Sequence, residues 1–203
     1  QMRILLFLAL LSGSVSAAPT GYTMKVLPVP PPCPAGSFTF PLSMNSHGVI
    51  LGEARCSALP NGGGYFIWEG DTVTPAPAPQ GYNSLQAVAI NDAKQVVWHA
   101  LPQQNARGVT LLWSNSGFTD LSVDFSRGGR APGNVWPAYT GSNSLTNSGQ
   151  VLVQTGGCPN GFDNPCPQGV FLWAKGGVLT PYNSGCGGVG PYAVNEAGVV
   201  AGT

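Results

Sequence analysis

The sequence predicts an all-β chain, a propeller-like array of four-stranded antiparallel blades, with three blades nearly complete and a fourth truncated. Three observations lead there: a hairpin signature that recurs four times, an apolar strand ending in tryptophan after the first three, and a turn-rich but apolar composition. The 203 residues include 29 glycines and 19 prolines, yet 43% of side chains are apolar. Disorder requires low hydrophobicity, so this composition reads as short strands joined by frequent turns. A β-sandwich is the alternative, because as many short strands could divide into two sheets.

The hairpin signature comes first. It reads LSMNSHGVILG from Leu42, VAINDAKQVVW from Val88, NSLTNSGQVLV from Asn143 and YAVNEAGVVAG from Tyr192. Its turn positions are Asn45 and Gly48, Asn91 and Lys94, Thr146 and Gly149, and Asn195 and Gly198. Successive turn entries lie 46, 55 and 49 residues apart. An asparagine at the entrance bonds its own backbone two residues on. A glycine three residues later supplies the positive φ of a type I turn with a bulge. Lys94 replaces that glycine, and a side chain in the left-handed region costs about 1 kcal/mol.

The second element is the strand Tyr65–Trp68, repeated at Thr110–Trp113 and Val170–Trp173. A short glycine-containing turn follows each, and then another extended piece: DTVTP, FTDLSV and VLTPY. Each repeat thus holds four strands, A to D, in a meander. Trp68, Trp113 and Trp173 are the expected core residues between blades. The period suits a propeller blade, about 40–50 residues in common families, and is far longer than a β-helix coil. The expected divisions are a linker and candidate closing strand over 18–37 and repeats over 38–83, 84–135 and 136–187. Residues 188–203 would begin a truncated fourth repeat, making the chain part of a longer protein.

These motifs resemble the HAF-type probable extracellular repeat. The segments AVAINDAKQVV, NEAGVVAG, GVFLW and GFTDLSV carry the likeness, which extends over nearly the whole mature chain. The resemblance implies an exported β-repeat protein and no particular chemistry. The family's His-Ala before the tryptophan strand is absent, with Gly64-Tyr65, Val109-Thr110 and Gly169-Val170 in its place.

The N-terminus reads as an export signal over residues 1–17. Arg3 precedes the apolar run Ile4–Leu11, too short to span a bilayer, and Val15-Ser16-Ala17 offers a cleavage site. A secreted, periplasmic or cell-surface location follows, with no transmembrane segment. Five cysteines then suggest disulfides. In a meander blade the A–B and C–D turns share one end and the B–C and D–A loops the other. All five cysteines fall at the loop end. Cys33 and Cys56 flank Asn45 symmetrically, and Cys158 stands where Cys56 does. The expected pairs are Cys33–Cys56 and Cys158–Cys166, leaving Cys186 unpaired. With no Cys-x-x-Cys and with His47 and His99 remote from every cysteine, no metal or cofactor is expected.

Eight basic and eight acidic side chains leave no cluster to neutralise phosphates, which excludes nucleic acid as a partner. Catalytic residues are not signalled. His47 sits in a turn and His99 on a strand, while Asp120 and Asp124 bracket a strand, Asp120 as a turn cap. The candidate ligand site is the loop Ser126–Gly141, with Arg127, Arg130, Trp136 and Tyr139. Arginine beside aromatics suits an anionic sugar or a carboxylate. The expected function is a non-enzymatic binding or surface-interaction module whose partner is an extracellular glycan or protein. The alternatives are an extracellular lyase or glycosidase on a propeller scaffold and a structural envelope component.

Overall fold

The computed structural model describes residues 26–102, 108–121, 134–137, 143–156, 169–176, 178–182 and 191–202. The export signal therefore lies outside the described residues. Fourteen strands form an all-β structure with no α-helix among the described residues. The first sheet is β1 (Phe38–Met44), β2 (Ile50–Arg55), β3 (Gly63–Glu69) and β4 (Thr72–Pro75). The second is β5 (Tyr82–Ile90), β6 (Val96–Pro102), β7 (Val109–Ser114) and β8 (Gly117–Asp120). The third is β9 (Asn134–Pro137), β10 (Val151–Gly156), β11 (Gly169–Ala174) and β12 (Val178–Tyr182). The hairpin of β13 (Pro191–Val194) and β14 (Val200–Gly202) is the fourth. Each sheet is an antiparallel meander in chain order.

The turns form as their chemistry dictates. Asn45 Oδ1 accepts the N–H groups of His47 and Val49, and Asn195 Oδ1 those of Ala197 and Val199. Thr146 Oγ1 serves the same purpose for Gln150. Gly48, Gly149 and Gly198 take φ of 75°, 80° and 76°, and Lys94 takes 57° in the same left-handed region. A bulge recurs in the strand before the turn, between Pro41 and Ser43, Ala87 and Ala89, and Pro191 and Ala193. Register is repeated too: Pro41 faces Gly52, Ala87 faces Trp98 and Pro191 faces Gly202.

The third sheet departs from the pattern at its first strand. Asn134 of β9 pairs with Gly156, as Phe38 pairs with Arg55 in the first sheet. Asn134 stands twelve residues before Thr146, whereas Phe38 stands seven before Asn45, so five residues are inserted here. Leu145 then bridges Val151 beside the turn. The expected loop Ser126–Gly141 is thereby corrected: its residues 134–137, including Trp136, are strand.

Alternation along the strands gives each four-stranded sheet two apolar faces, and these stack in chain order. Leu51 and Ile67 of the first sheet pack with Ile90, Val96, Trp98 and Leu111 of the second. Val97 and Leu112, on the other face of the second, pack with Val151, Val153, Phe171 and Trp173. Leu152, Val170 and Leu172 meet Val194 and Val200 of the last hairpin. Each such side chain contributes about 1.5–3 kcal/mol when fully buried.

Trp173 lies on the face turned toward the preceding sheet, and half-buried Trp113 packs against the core of the first two sheets. Trp68 occupies the equivalent face of the first sheet, before which no other sheet stands among the described residues. Residues 26–33 cover it instead. Leu27 and Cys33 pack against Ala54, Phe66 and Trp68, and the Trp68 indole donates to the Pro28 carbonyl at 2.8 Å. The Cys33–Cys56 disulfide ties this cover to the end of β2. Of the candidate closing strand over 22–29, the described residues 26–29 are accordingly not a strand. Beneath Trp68, Gly52 leaves room that a Cβ would fill, 2.5 Å from the Phe40 carbonyl and 2.9 Å from the indole.

Hydrogen bonds join the four turns edge to edge. Asn45 Nδ2 donates to the Asn91 carbonyl and Asn91 Nδ2 to the Thr146 carbonyl, both at 3.0 Å. One residue on, the Ser46 N–H donates to Asp92 Oδ1, the Asp92 N–H to Asn147 Oδ1, and the Asn147 N–H to Glu196 Oε1. Each turn thus donates to the next. Buried bonds of this kind contribute about 1 kcal/mol each net.

Candidate binding cleft

At the opposite end from this ladder of turns, a cleft of about 800 Å³ opens between the first and second sheets. Its position follows from the connections. The β2–β3 loop folds back on itself, with Cys56 N–H donating to the Gly62 carbonyl and Gly62 N–H to that of Leu59. The disulfide brings Pro31 and Pro32 alongside this loop, and the chain from Pro75 to Gly81 closes the other side. Prolines fix φ and resist rearrangement, so the rim is stiff.

Tyr65 of β3 and Tyr82 of β5 face the cleft from the two sheets. The Tyr65 hydroxyl donates to the Leu85 carbonyl at 3.0 Å, bridging the sheets. Its ring meets Trp98 edge to face, with centroids 5.3 Å apart. Burial, reinforced by the negative charge of Glu53, pushes the Tyr65 hydroxyl above its ordinary pKa and keeps it a donor. Burial also raises Tyr82, with Asp120 adding to it. Trp98 is fully buried, and its indole N–H has no hydrogen-bond acceptor among the described residues. Glu53, the one carboxylate among the described lining residues, is paired with Arg55, whose guanidinium lies over Phe40.

Half-exposed tyrosine rings offer stacking surface, and Glu53, Asn61 and Gln80 add hydrogen-bonding groups at the rim. Among the described lining residues Glu53 is the one carboxyl group at hand, whereas most glycoside hydrolases use two.

The sequence-expected residues are placed as follows. Arg127, Arg130, Tyr139, Cys158, Cys166 and Cys186 lie outside the described residues, and Trp136 is described by its backbone, opposite Gln154 in the third sheet. His47 is exposed, with Nδ1 3.3 Å from Asp92 Oδ1. His99 is half-buried, and that burial holds its pKa below the ordinary histidine value. Among the described residues no group of three His, Cys, Asp or Glu side chains is placed to hold a metal. Tyr65, Tyr82 and Trp98 were not singled out by sequence for a binding role. The available signal was the proline density of residues 28–34 and 75–79 beside aromatic strand starts. Neither a family model nor a curated protein matches this chain.

Proposed function

We propose that the chain is an exported β-repeat protein of the HAF type that acts as a non-enzymatic binding module. Its sheets are the blades of a propeller-type array, and it holds an extracellular glycan or protein segment at the loop end. The observation that carries this reading is the cleft of about 800 Å³ with Tyr65 and Tyr82 facing it. Ligand sites are concave, mostly apolar and set with few polar groups, and this cleft has that make-up. Export is supported by the Arg3-led apolar N-terminus and by the Cys33–Cys56 disulfide, a bond that persists in oxidising compartments. The blade arrangement is supported by the repeated four-strand meander and by stacking in chain order.

The test is binding of the mature chain to arrays of glycans and of extended peptides. Tyr82→Ala weakens the captured ligand at least tenfold, whereas Arg127→Ala leaves it unchanged. Binding that survives Tyr82→Ala and is lost with Arg127→Ala places the site in the Ser126–Gly141 segment and overturns the cleft.

A further inference from the structure

The first sheet carries the surface of the cleft beyond its rim. Cross-strand partners in a sheet share a face, and two rows of partners lead out of the cleft toward β1. One row is Tyr65, Glu53 and Phe40; the next, nearer the loop end, is Gly63, Arg55 and Phe38. Tyr65, Glu53 and Gly63 line the cleft. Phe40 and Phe38 complete the rows in the open, 44% and 72% exposed. Their rings lie nearly parallel, at 14°, with centroids 6.4 Å apart. Single apolar side chains are ordinary on a surface, whereas a contiguous apolar patch marks a contact site.

The polar groups around these rings restrict what can lie on them. Arg55 sits over Phe40 and commits Nε and Nη2 to the Glu53 carboxylate, so the pair is neutral as a unit. Glu53 is the one charged side chain among the described lining residues. An anionic ligand therefore meets no unpaired cation in the cleft. A peptide adding as a strand needs backbone donors, and Pro31, Pro32, Pro60, Pro75 and Pro79 in the walls have no N–H to give. Asn61, Gln80 and Asn83 also line the cleft, and an amide side chain both donates and accepts. Sugar hydroxyls do the same. The C–H face of a sugar ring is attracted to the negative face of an aromatic ring.

We propose that the cleft takes a neutral oligosaccharide and that Phe40 and Phe38 hold the sugars that extend beyond it. The ligand lies against Tyr82 and Tyr65 at one end, crosses the Glu53–Arg55 pair and reaches the two phenylalanines of β1. This inference rests on the cleft being the binding site; it adds the class of the ligand and a second contact surface.

The probes are the linear hexasaccharides of glucose, mannose and N-acetylglucosamine, their disaccharides, and hexagalacturonate as the acidic counterpart. Each is titrated into the full mature chain and followed by NMR, which reads weak binding too. At least one neutral hexasaccharide binds, more tightly than its disaccharide and than hexagalacturonate. Phe38→Ala combined with Phe40→Ala weakens that hexasaccharide about tenfold and leaves the disaccharide unchanged, a split that damage to the fold would not produce. Tyr82→Ala weakens both. Undiminished hexasaccharide binding by the double variant overturns the extension onto β1. No binding of any neutral hexasaccharide, or a preference for hexagalacturonate, overturns the sugar assignment, and the cleft itself still stands if a peptide is captured and lost with Tyr82→Ala. Hexasaccharide binding that is indifferent to Tyr82→Ala overturns the cleft and this inference together.

Discussion

The carboxylate of Asp92 takes both the backbone N–H and the hydroxyl of Ser46, at 2.8 and 2.7 Å, across 46 residues of sequence. The hydroxyl bond is the main reason the Asp92 carboxyl titrates below the ordinary aspartate range, with His47 adding a smaller pull. A carboxyl whose folded pKa is depressed stabilises the fold above its unfolded pKa, and that contribution is lost as pH falls through the folded value. The joint between the first two turns therefore weakens in acid. Asp92→Asn keeps an acceptor for the Ser46 N–H, as Asn147 does in the next turn, and flattens the acid limb of stability. Urea midpoints at neutral and acid pH, with a carboxyl NMR titration of Asp92, check this.

Thr146 reproduces one half of what Asn45 and Asn91 do. Its Oγ1 accepts the Gln150 N–H, but a hydroxyl has no Nδ2 to reach the carbonyl of Asn195. Thr146→Asn supplies that donor and stabilises the chain by about 1 kcal/mol, read as a raised urea midpoint.

Asn91 uses both ends of its amide, accepting from the Gln95 N–H and donating to the Thr146 carbonyl. Asn91→Ala removes both at a buried site and costs about 2–4 kcal/mol, while Asn91→Thr keeps the acceptor, as Thr146 does in the third turn, and costs about half as much. Equal losses for the two variants would show that the acceptor bond is idle.

Lys94 holds φ at 57°, and its ammonium pairs with exposed Glu69 at 2.6 Å. Lys94→Gly relieves backbone strain of roughly 1 kcal/mol, against an exposed ion pair that contributes a few tenths at most in ordinary salt. The variant is more stable, and repeating it on Glu69→Gln isolates the backbone gain in thermal melts.

The Cys33–Cys56 bond closes a sequence separation of 23 residues, for which chain-entropy reasoning gives about 3 kcal/mol. Cys33→Ser lowers stability by that order. It also frees the cover over Trp68, seen as a red shift and increased quenching of tryptophan fluorescence.

The turn motif was legible because its residues are dictated locally: an entry side chain that caps its own turn and a position that must take positive φ. Strand order followed from the same repeats. The start of the third sheet was hidden, since the five inserted residues carry Asn134–Pro137 out of step with Thr146 and leave them looking like loop. Trp98 escaped for a related reason. It stands where the first repeat has Gly52, so no shared letter marks the position although both face the same bulge. The cleft is still less visible in sequence, because Pro31, Leu59, Tyr65 and Tyr82 converge on it from four separate segments.

The ladder of turns has a sense of travel. Turn one gives a donor to turn two, two to three and three to four, and the residue after each later turn entry, Asp92, Asn147 or Glu196, differs in size and charge but always carries an oxygen acceptor. Repeats in this chain are consequently not interchangeable parts. A duplicated or transplanted unit joins the row behind its neighbour only if it brings an acceptor of that kind. A unit with alanine or glycine there would lose that rung and lean on the buried turn bonds and the core between sheets alone.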